Sequence, residues 1–414
     1  MIPLSDAIAH IASSITRFDA VEVARADALG LVLADAVTAS EPVPPFANTA
    51  VDGYAVQAAD TVGASVDTPR RLTVVGELAA GAAPSTAVGP GTAIRIMTGA
   101  PMPAGADAVV MVERTTVEGD HVAIDAGVEA GDNVRDAGGD VQRGQIVFEA
   151  GTVLRPAHLG VLASLDCARV RVFPRARVGV LSTGDELVES GPLAAGKIRD
   201  SNRPLLLAVL AEAGCIPVDL GTAVDDEATI HATIAHGVDT CDALLTSGAV
   251  SVGDFDFVKV ALERLAAERG GSYRWSQIAI KPSKPLAFAT IGTDRPVPVF
   301  GLPGNPVSSH VSFELFARPS LRTMMGHTTT AHRPVVVARA AAPMRRRSDG
   351  KLHLDRVRIW PDADGALWCE RSGVQASNAL SGMAAASGLA LLPDGEGVDA
   401  DVPVRVMLLS DLAG

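Results

Sequence analysis

The most regular hydrophobic pattern in the chain is a set of short, unbroken apolar runs that each end in a polar, glycine-containing loop. One is Val178-Gly-Val-Leu-Ser182-Thr-Gly-Asp-Glu186, and another is Ala243-Leu-Leu-Thr-Ser247-Gly-Ala-Val-Ser-Val-Gly-Asp-Phe-Asp256. An uninterrupted run reads as a parallel strand buried on both faces, and the turn leaving its carboxyl end is where open α/β sheets hold ligands. Helical patterns separate these runs. Ser201 or Asn202 is expected to cap a helix that Pro204 starts and Gly214 ends. Asp225-Asp226-Glu227 opens a second, with Ile230, Ile234 and Val238 on one face, and a third spans residues 255–269. Pro303-Gly-Asn-Pro306 follows an apolar run, with Asn305 a natural cap and Pro306 a natural first helical residue. Residues 177–326 therefore predict a doubly wound α/β domain.

The flanks read differently. Residues 5–15 carry apolar positions at helical spacing behind Ser5, so a short amphipathic helix is expected there, followed by an extended linker at Glu41-Pro-Val-Pro-Pro45. From 46 to 175, short Val/Ile-rich runs alternate with Gly, Pro and Asp turns, mainly β, with one helix within 150–163. After Pro334, runs at 335–339, 352–359, 389–392 and 402–408 predict a small β domain.

The chain has 414 residues, too many for one ordinary core. Its longest apolar stretch, residues 205–220, is broken by Glu212, Gly214, Pro217 and Asp219 and does not suit a bilayer span. The first residues lack the pattern of a signal peptide, and a cytoplasmic protein without a membrane partner is expected. Cys167, Cys215, Cys241 and Cys369 lack paired spacing and read as buried thiols, and His231 and His236 do not share a helix face. A net charge of −13 argues against nucleic acid as the main partner but permits a local anion site. Two of the five lysines, Lys281 and Lys284, fall within Lys-Pro-Ser-Lys-Pro.

In a parallel sheet the loops at 182–186, 221–226, 247–256 and 303–305 gather on one edge. Glu186, Asp225 and Asp256 then neighbour any phosphate bound there. Unit charges 4 Å apart at an effective dielectric of 20 repel by roughly 4 kcal/mol, whereas a helix N-terminus returns only about 0.3 to 2 kcal/mol to an anion. A divalent cation is needed to bridge them, and Mg²⁺ suits oxygen ligands shared with phosphates.

These segments resemble the molybdopterin molybdenumtransferases, the family that includes the gephyrin E domain. The resemblance runs in order through Pro-Phe-Ala-Asn-Thr-Ala-Val-Asp52-Gly-Tyr-Ala, Ile94-Arg-Ile-Met-Thr98-Gly-Ala-Pro, Asn133-Val-Arg135, the two glycine loops, Ile280-Lys-Pro-Ser-Lys-Pro285 and Gly301-Leu-Pro-Gly-Asn-Pro-Val-Ser308. It implies an N-terminal linker domain (1–45 and 141–172), an inserted β-rich domain (46–140), an α/β molybdopterin-binding domain (173–328) and a C-terminal β domain (329–414). The implied activity inserts molybdenum from molybdate into adenylylated molybdopterin with Mg²⁺-dependent release of AMP. The family's homodimer places its sites between subunits; an upstream adenylyltransferase and downstream molybdoenzymes are the implied contacts. Alternatives are a non-catalytic molybdopterin carrier or scaffold, and a molybdopterin adenylyltransferase.

By position, Asp52, Glu186, Asp225 and Asp256 are the expected catalytic residues, the last three also as Mg²⁺ ligands. Ser182, Thr183, Gly184, Asp185, Ser247, Gly248, Ser251, Gly253, Pro303, Gly304, Asn305 and Pro306 are expected to hold the substrate. Thr98, Arg135 and Asp140 resemble residues that face a partner subunit's crevice. Lys281, Lys284, Arg356 and Ser377 are the expected molybdate group. Three positions depart from the family pattern: Ala249 and Ser283 replace glycines, and Gln277 stands where some members have lysine.

Overall fold

A computed structural model describes residues 1–248 and 257–410. Contacts divide the chain into two compact units, one formed by Met1–Val21, Gly30–Ala34 and Arg171–Gly414, the other by Glu22–Leu29 and Asp35–Val170. Among the described residues no helix is long and apolar enough to cross a membrane.

The first unit is built on a six-stranded sheet in the order Ile216–Ala223, Arg177–Thr183, Ala243–Ser247, Val297–Leu302, Pro285–Ile291 and Gly271–Gln277. The first four are parallel, and the last two run antiparallel. Alternation along each strand feeds two cores. Val178, Val180, Leu245, Phe300 and Leu302 join one cluster with Leu206 and Leu210 of Asn202–Glu212. Leu181, Leu244, Val297 and Val299 face the other, with Ile230, Ile234 and Val238 of Glu227–Thr240 and Leu262 of Phe257–Arg269. Helices therefore cover both faces, the doubly wound arrangement expected. Strand order reverses beside Arg177–Thr183, and the carboxyl ends at such a switch point are where open α/β sheets hold ligands in a crevice.

A second six-stranded sheet in this unit includes Leu352–Pro361, Leu367–Arg371, Val335–Ala340, Pro403–Leu408 and Gly388–Leu392, with the short strand Ile280–Lys281 pairing in parallel at one edge. The second unit carries its own six-stranded sheet, ordered Ala108–Met111, Gly53–Val56, Thr92–Ile96, Arg70–Leu78, His121–Ile124 and Thr115–Glu118.

Helix starts differ from the sequence pattern in two places. The first helix is Leu4–Ala12, preceded by Pro3 rather than capped by Ser5. Asn202–Glu212 begins two residues before Pro204, and neither Ser201 nor Asn202 caps it: Asp200 Oδ1 accepts from the backbone N–H groups of Asn202 and Arg203, both at 3.1 Å. The helix opened by Asp225-Asp226-Glu227 forms as expected, as Glu227–Thr240, with Asp226 capping it by accepting from Thr229 N at 2.8 Å. The predicted helix at 150–163 forms as Pro156–Ser164, because Pro156 sets its first turn.

Candidate functional site

The parallel strands end at Thr183, Ala223, Ser247 and Leu302, and their loops meet at one edge. Gly184 N donates to the Ala223 carbonyl at 3.3 Å. Gly248 lies at φ 105°, where a Cβ would sit 2.5 Å from the Thr183 carbonyl oxygen, so only glycine lets the two loops approach this closely. Asp185 and Asp225 exchange contacts: Asp225 N donates to Asp185 Oδ1 at 3.0 Å, and Asp185 N reaches Asp225 Oδ2 at 3.4 Å. Asp225 is thus a loop-to-loop tie. Glu186 is exposed beside it, its carboxylate lying over Gly184.

Beneath these carboxylates lie Ser182 and Thr246, both fully buried, and Thr183, 3% exposed; their hydroxyls have no hydrogen-bond partner among the described residues. Buried hydroxyls are ordinarily satisfied, and three without partners at the carboxyl ends of two neighbouring strands mark this sheet edge as a candidate place for ligand polar groups. Asn202 completes the edge. Its Nδ2 donates to Ser247 Oγ and to the Gly304 carbonyl, each at 2.6 Å, while its buried Oδ1 has no partner among the described residues. Sequence reasoning read Asn202 only as a cap and missed it as the side chain joining three loops. Its position directly after Asp200-Ser201, ahead of the edge, was the available signal.

Pro303 is buried and Gly304 and Asn305 are exposed at the start of Pro306–Ser312, where Asn305 occupies the cap position without a side-chain capping bond. Val307 N donates to the Ser377 carbonyl at 3.1 Å, so the loop after Leu367–Arg371 is brought to this helix start. The same loop receives Arg356: Nη2 donates to the Val374 carbonyl at 2.6 Å, and Gln375 Oε1 accepts from Arg356 N at 2.8 Å. Arg356 is fully buried with Nε and Nη1 unpartnered among the described residues, and burial disfavours its charged form. An oxyanion accepting from those nitrogens would offset that cost. The structure therefore brings Arg356 and Ser377 together with Pro303–Pro306.

Lys281 lies on the short strand beside the one that carries Arg356. It pairs with His353 on the edge of the C-terminal sheet, and the alternation of a strand puts Leu354 and Arg356 on the opposite face from His353 and Asp355. Lys284 is exposed. Between them Ser283, at φ 77° and 3% exposed, bonds the Ser312 hydroxyl, a contact that holds a non-glycine residue in a left-handed conformation.

In the second unit, Thr98 donates to Asp52 Oδ1 from its backbone N at 2.7 Å and its hydroxyl at 2.6 Å. The hydroxyl bond, then the backbone bond, hold the Asp52 carboxyl below its ordinary value. Val134–Arg135 pairs with Asn48–Thr49, whose other side bonds the 99–101 segment, so Arg135 and Thr98 flank one strand. Asp140 sits apart, at the Val43 to Val141 bridge.

Ser251, Gly253, Asp256 and the substituted Ala249 lie outside the described residues. Among the described residues no three His, Cys, Asp or Glu side chains converge as a metal cluster. Glu186 and Asp225 supply oxygen donors alone, and a site of one or two carboxylates completed by substrate phosphates is what Mg²⁺ takes.

Two family profiles match the chain: the MoeA N-terminal region (domain I and II) over residues 2–165, and a probable molybdopterin binding domain over residues 179–323. The chain is 40% identical over 372 residues to molybdopterin molybdenumtransferase 2 of Mycobacterium tuberculosis, spanning 89% of each. It is 33% identical over 420 residues to the molybdopterin molybdenumtransferase of Bacillus subtilis, spanning 100% of this chain and 95% of that one. The solved molybdopterin biosynthesis MoeA protein of Pyrococcus horikoshii superposes with a TM-score of 0.80 at 28% identity, covering 99% of this chain and 100% of that one.

Proposed function

The chain belongs to the molybdopterin molybdenumtransferase family, and from that premise we propose that it inserts molybdenum from molybdate into molybdopterin during molybdenum cofactor assembly. The observation carrying this reading is the joint presence, on one sheet edge, of three orphan buried hydroxyls and the crossed Asp185 and Asp225 loops. Ser182, Thr183 and Thr246 would donate to substrate oxygens, and Gly248 admits a ligand close to the backbone. Asn202 would fix Ser247 and the Gly304 carbonyl while its free Oδ1 accepts a ligand N–H. Arg356 and Ser377 would hold the oxyanion at the Pro303–Pro306 loop, with Lys284 supplying further charge.

The finer reading is that the pterin arrives adenylylated and that AMP leaves as the metal enters. Glu186 and Asp225, with Asp256, would hold Mg²⁺, which when bound neutralises phosphate charge and so lets carboxylates and a diphosphate share the crevice. Asp52, hydrogen-bonded by Thr98 and kept ionised, with Arg135 and Asp140, would serve the crevice of a second copy in a cytoplasmic homodimer. The four-domain division set out above is the organisation we assign, supported by a sheet within 46–140 and by one built from strands after residue 334 with only Ile280–Lys281 added at its edge. The purified protein with adenylylated molybdopterin, molybdate and Mg²⁺ should release AMP in step with formation of active cofactor. Pterin binding without AMP release would instead identify a carrier.

A further inference from the structure

A cavity of about 520 Å³ lies beside the C-terminal sheet, between Lys281-Pro282, the 345–349 segment and the strand residues His353 to Asp355. Lys281, Arg345, Arg346, Arg347 and Arg371 bring five positive charges to its wall, against two negative ones from Asp349 and Asp355. In a chain of net charge −13 this concentration is exceptional.

The cations divide into builders and free groups. Arg346, its side chain 1% exposed, bonds Asp349, Asp394 and the carbonyls of Lys351, Leu392 and Pro393, and so fixes the wall. Arg371 is held by Asp355 at 2.6 Å and donates to the Arg345 carbonyl at 2.8 Å. Arg345 pairs only with Asp399, both side chains more than half exposed, where water and salt weaken the pair. Lys281 and Arg347 have no ion-pair partner among the described residues, and both are exposed. Fixed cations on a concave wall focus potential on its interior, and guanidinium forks match phosphate oxygens. The space far exceeds one tetrahedral oxyanion and falls in the range of small-molecule pockets, roughly 300 to 1,000 Å³.

We propose that this cavity binds a small organic phosphate monoester, its dianion held by Arg345, Arg347 and Lys281 and its organic part by the remaining volume. This assignment is tested apart from the metal-insertion reading, because Arg345 and Arg347, the two residues whose loss should abolish binding, belong to no part of the crevice. Titration calorimetry with phenyl phosphate, inorganic phosphate and molybdate, each alone, tests it. Phenyl phosphate should bind saturably and more tightly than either inorganic ion, weaken with added salt, and lose at least tenfold in affinity in the Arg345→Ala/Arg347→Ala protein and in Arg347→Glu. Asp225→Asn, which removes a crevice carboxylate, should leave that binding unchanged. Unaltered phenyl phosphate affinity in both arginine variants would overturn the proposal, as would equal or tighter binding of the inorganic ions. AMP release is a separate readout, so failure of the metal-insertion reading leaves this result interpretable.

Discussion

Asn202 donates from Nδ2 to the hydroxyl oxygen of Ser247 at 2.6 Å, across 45 residues of sequence, and the same nitrogen reaches the Gly304 carbonyl. One side chain at a helix start thus sets the spacing of loops leaving two neighbouring parallel strands. Removing a buried partner costs about 1 to 3 kcal/mol, so Asn202→Ala should lower kcat/KM for AMP release by roughly 5- to 150-fold. Asn202→Asp, which keeps shape but loses the donor, should fall by a similar factor. Steady-state kinetics at wild-type level in both variants would remove Asn202 from the site.

Asp225 binds the Asp185 loop through its backbone as well as its carboxylate. Asp225→Asn keeps the backbone tie and removes the charge. AMP release by this variant and by Glu186→Gln should require at least tenfold more Mg²⁺ or be lost, with an unchanged circular dichroism spectrum. A Mg²⁺ dependence identical to wild type would defeat the metal assignment.

Thr98 holds the Asp52 carboxyl below its usual range by a hydroxyl bond and a backbone bond. Thr98→Val removes the first. The Asp52 midpoint, followed by NMR, should rise toward the ordinary aspartate value, and the acidic limb of the AMP-release profile should move with it. An unmoved midpoint would show that the hydroxyl does not tune this carboxyl.

His327 is 5% exposed, with Nδ1 facing Arg322 at 3.2 Å and Thr330 at 2.9 Å. Burial, then the charges of Arg322, Arg318 and Arg175, lower its pKa from 6.5 to about 4. The unfolded chain therefore binds the proton first, and stability contributed by neutral His327 is lost as pH falls from 6.5 to 4. The full effect is on the order of 3 kcal/mol. Urea unfolding should show this slope in the wild type and a flatter one in His327→Asn; equal slopes would contradict the assignment.

The α/β domain was legible because a strand buried on both faces must be apolar throughout, and 178–181, 243–245 and 297–302 are. The gathering of loops followed from parallel topology. A helix start slipped where the capping carboxylate stood one or two residues ahead of the expected cap, as with Asp200 before Ser201 and Asn202. The role of Asn202 and the pairing of Lys281 beside His353 were not readable, since both depend on contacts between distant segments: 202 with 247 and 304, and 280–281 with 352–353. Ser283 replaces a glycine of the family pattern, and its hydroxyl bond to Ser312 is a long-range contact that a local pattern does not reveal.

The most direct measurement follows AMP by chromatography while purified protein turns over adenylylated molybdopterin with Mg²⁺, with and without molybdate, and scores the product by reconstitution of a cofactor-free molybdoenzyme. AMP release matched by active cofactor, abolished in Glu186→Gln, is the predicted result. Tight pterin binding with no AMP and no reconstituting activity would contradict it.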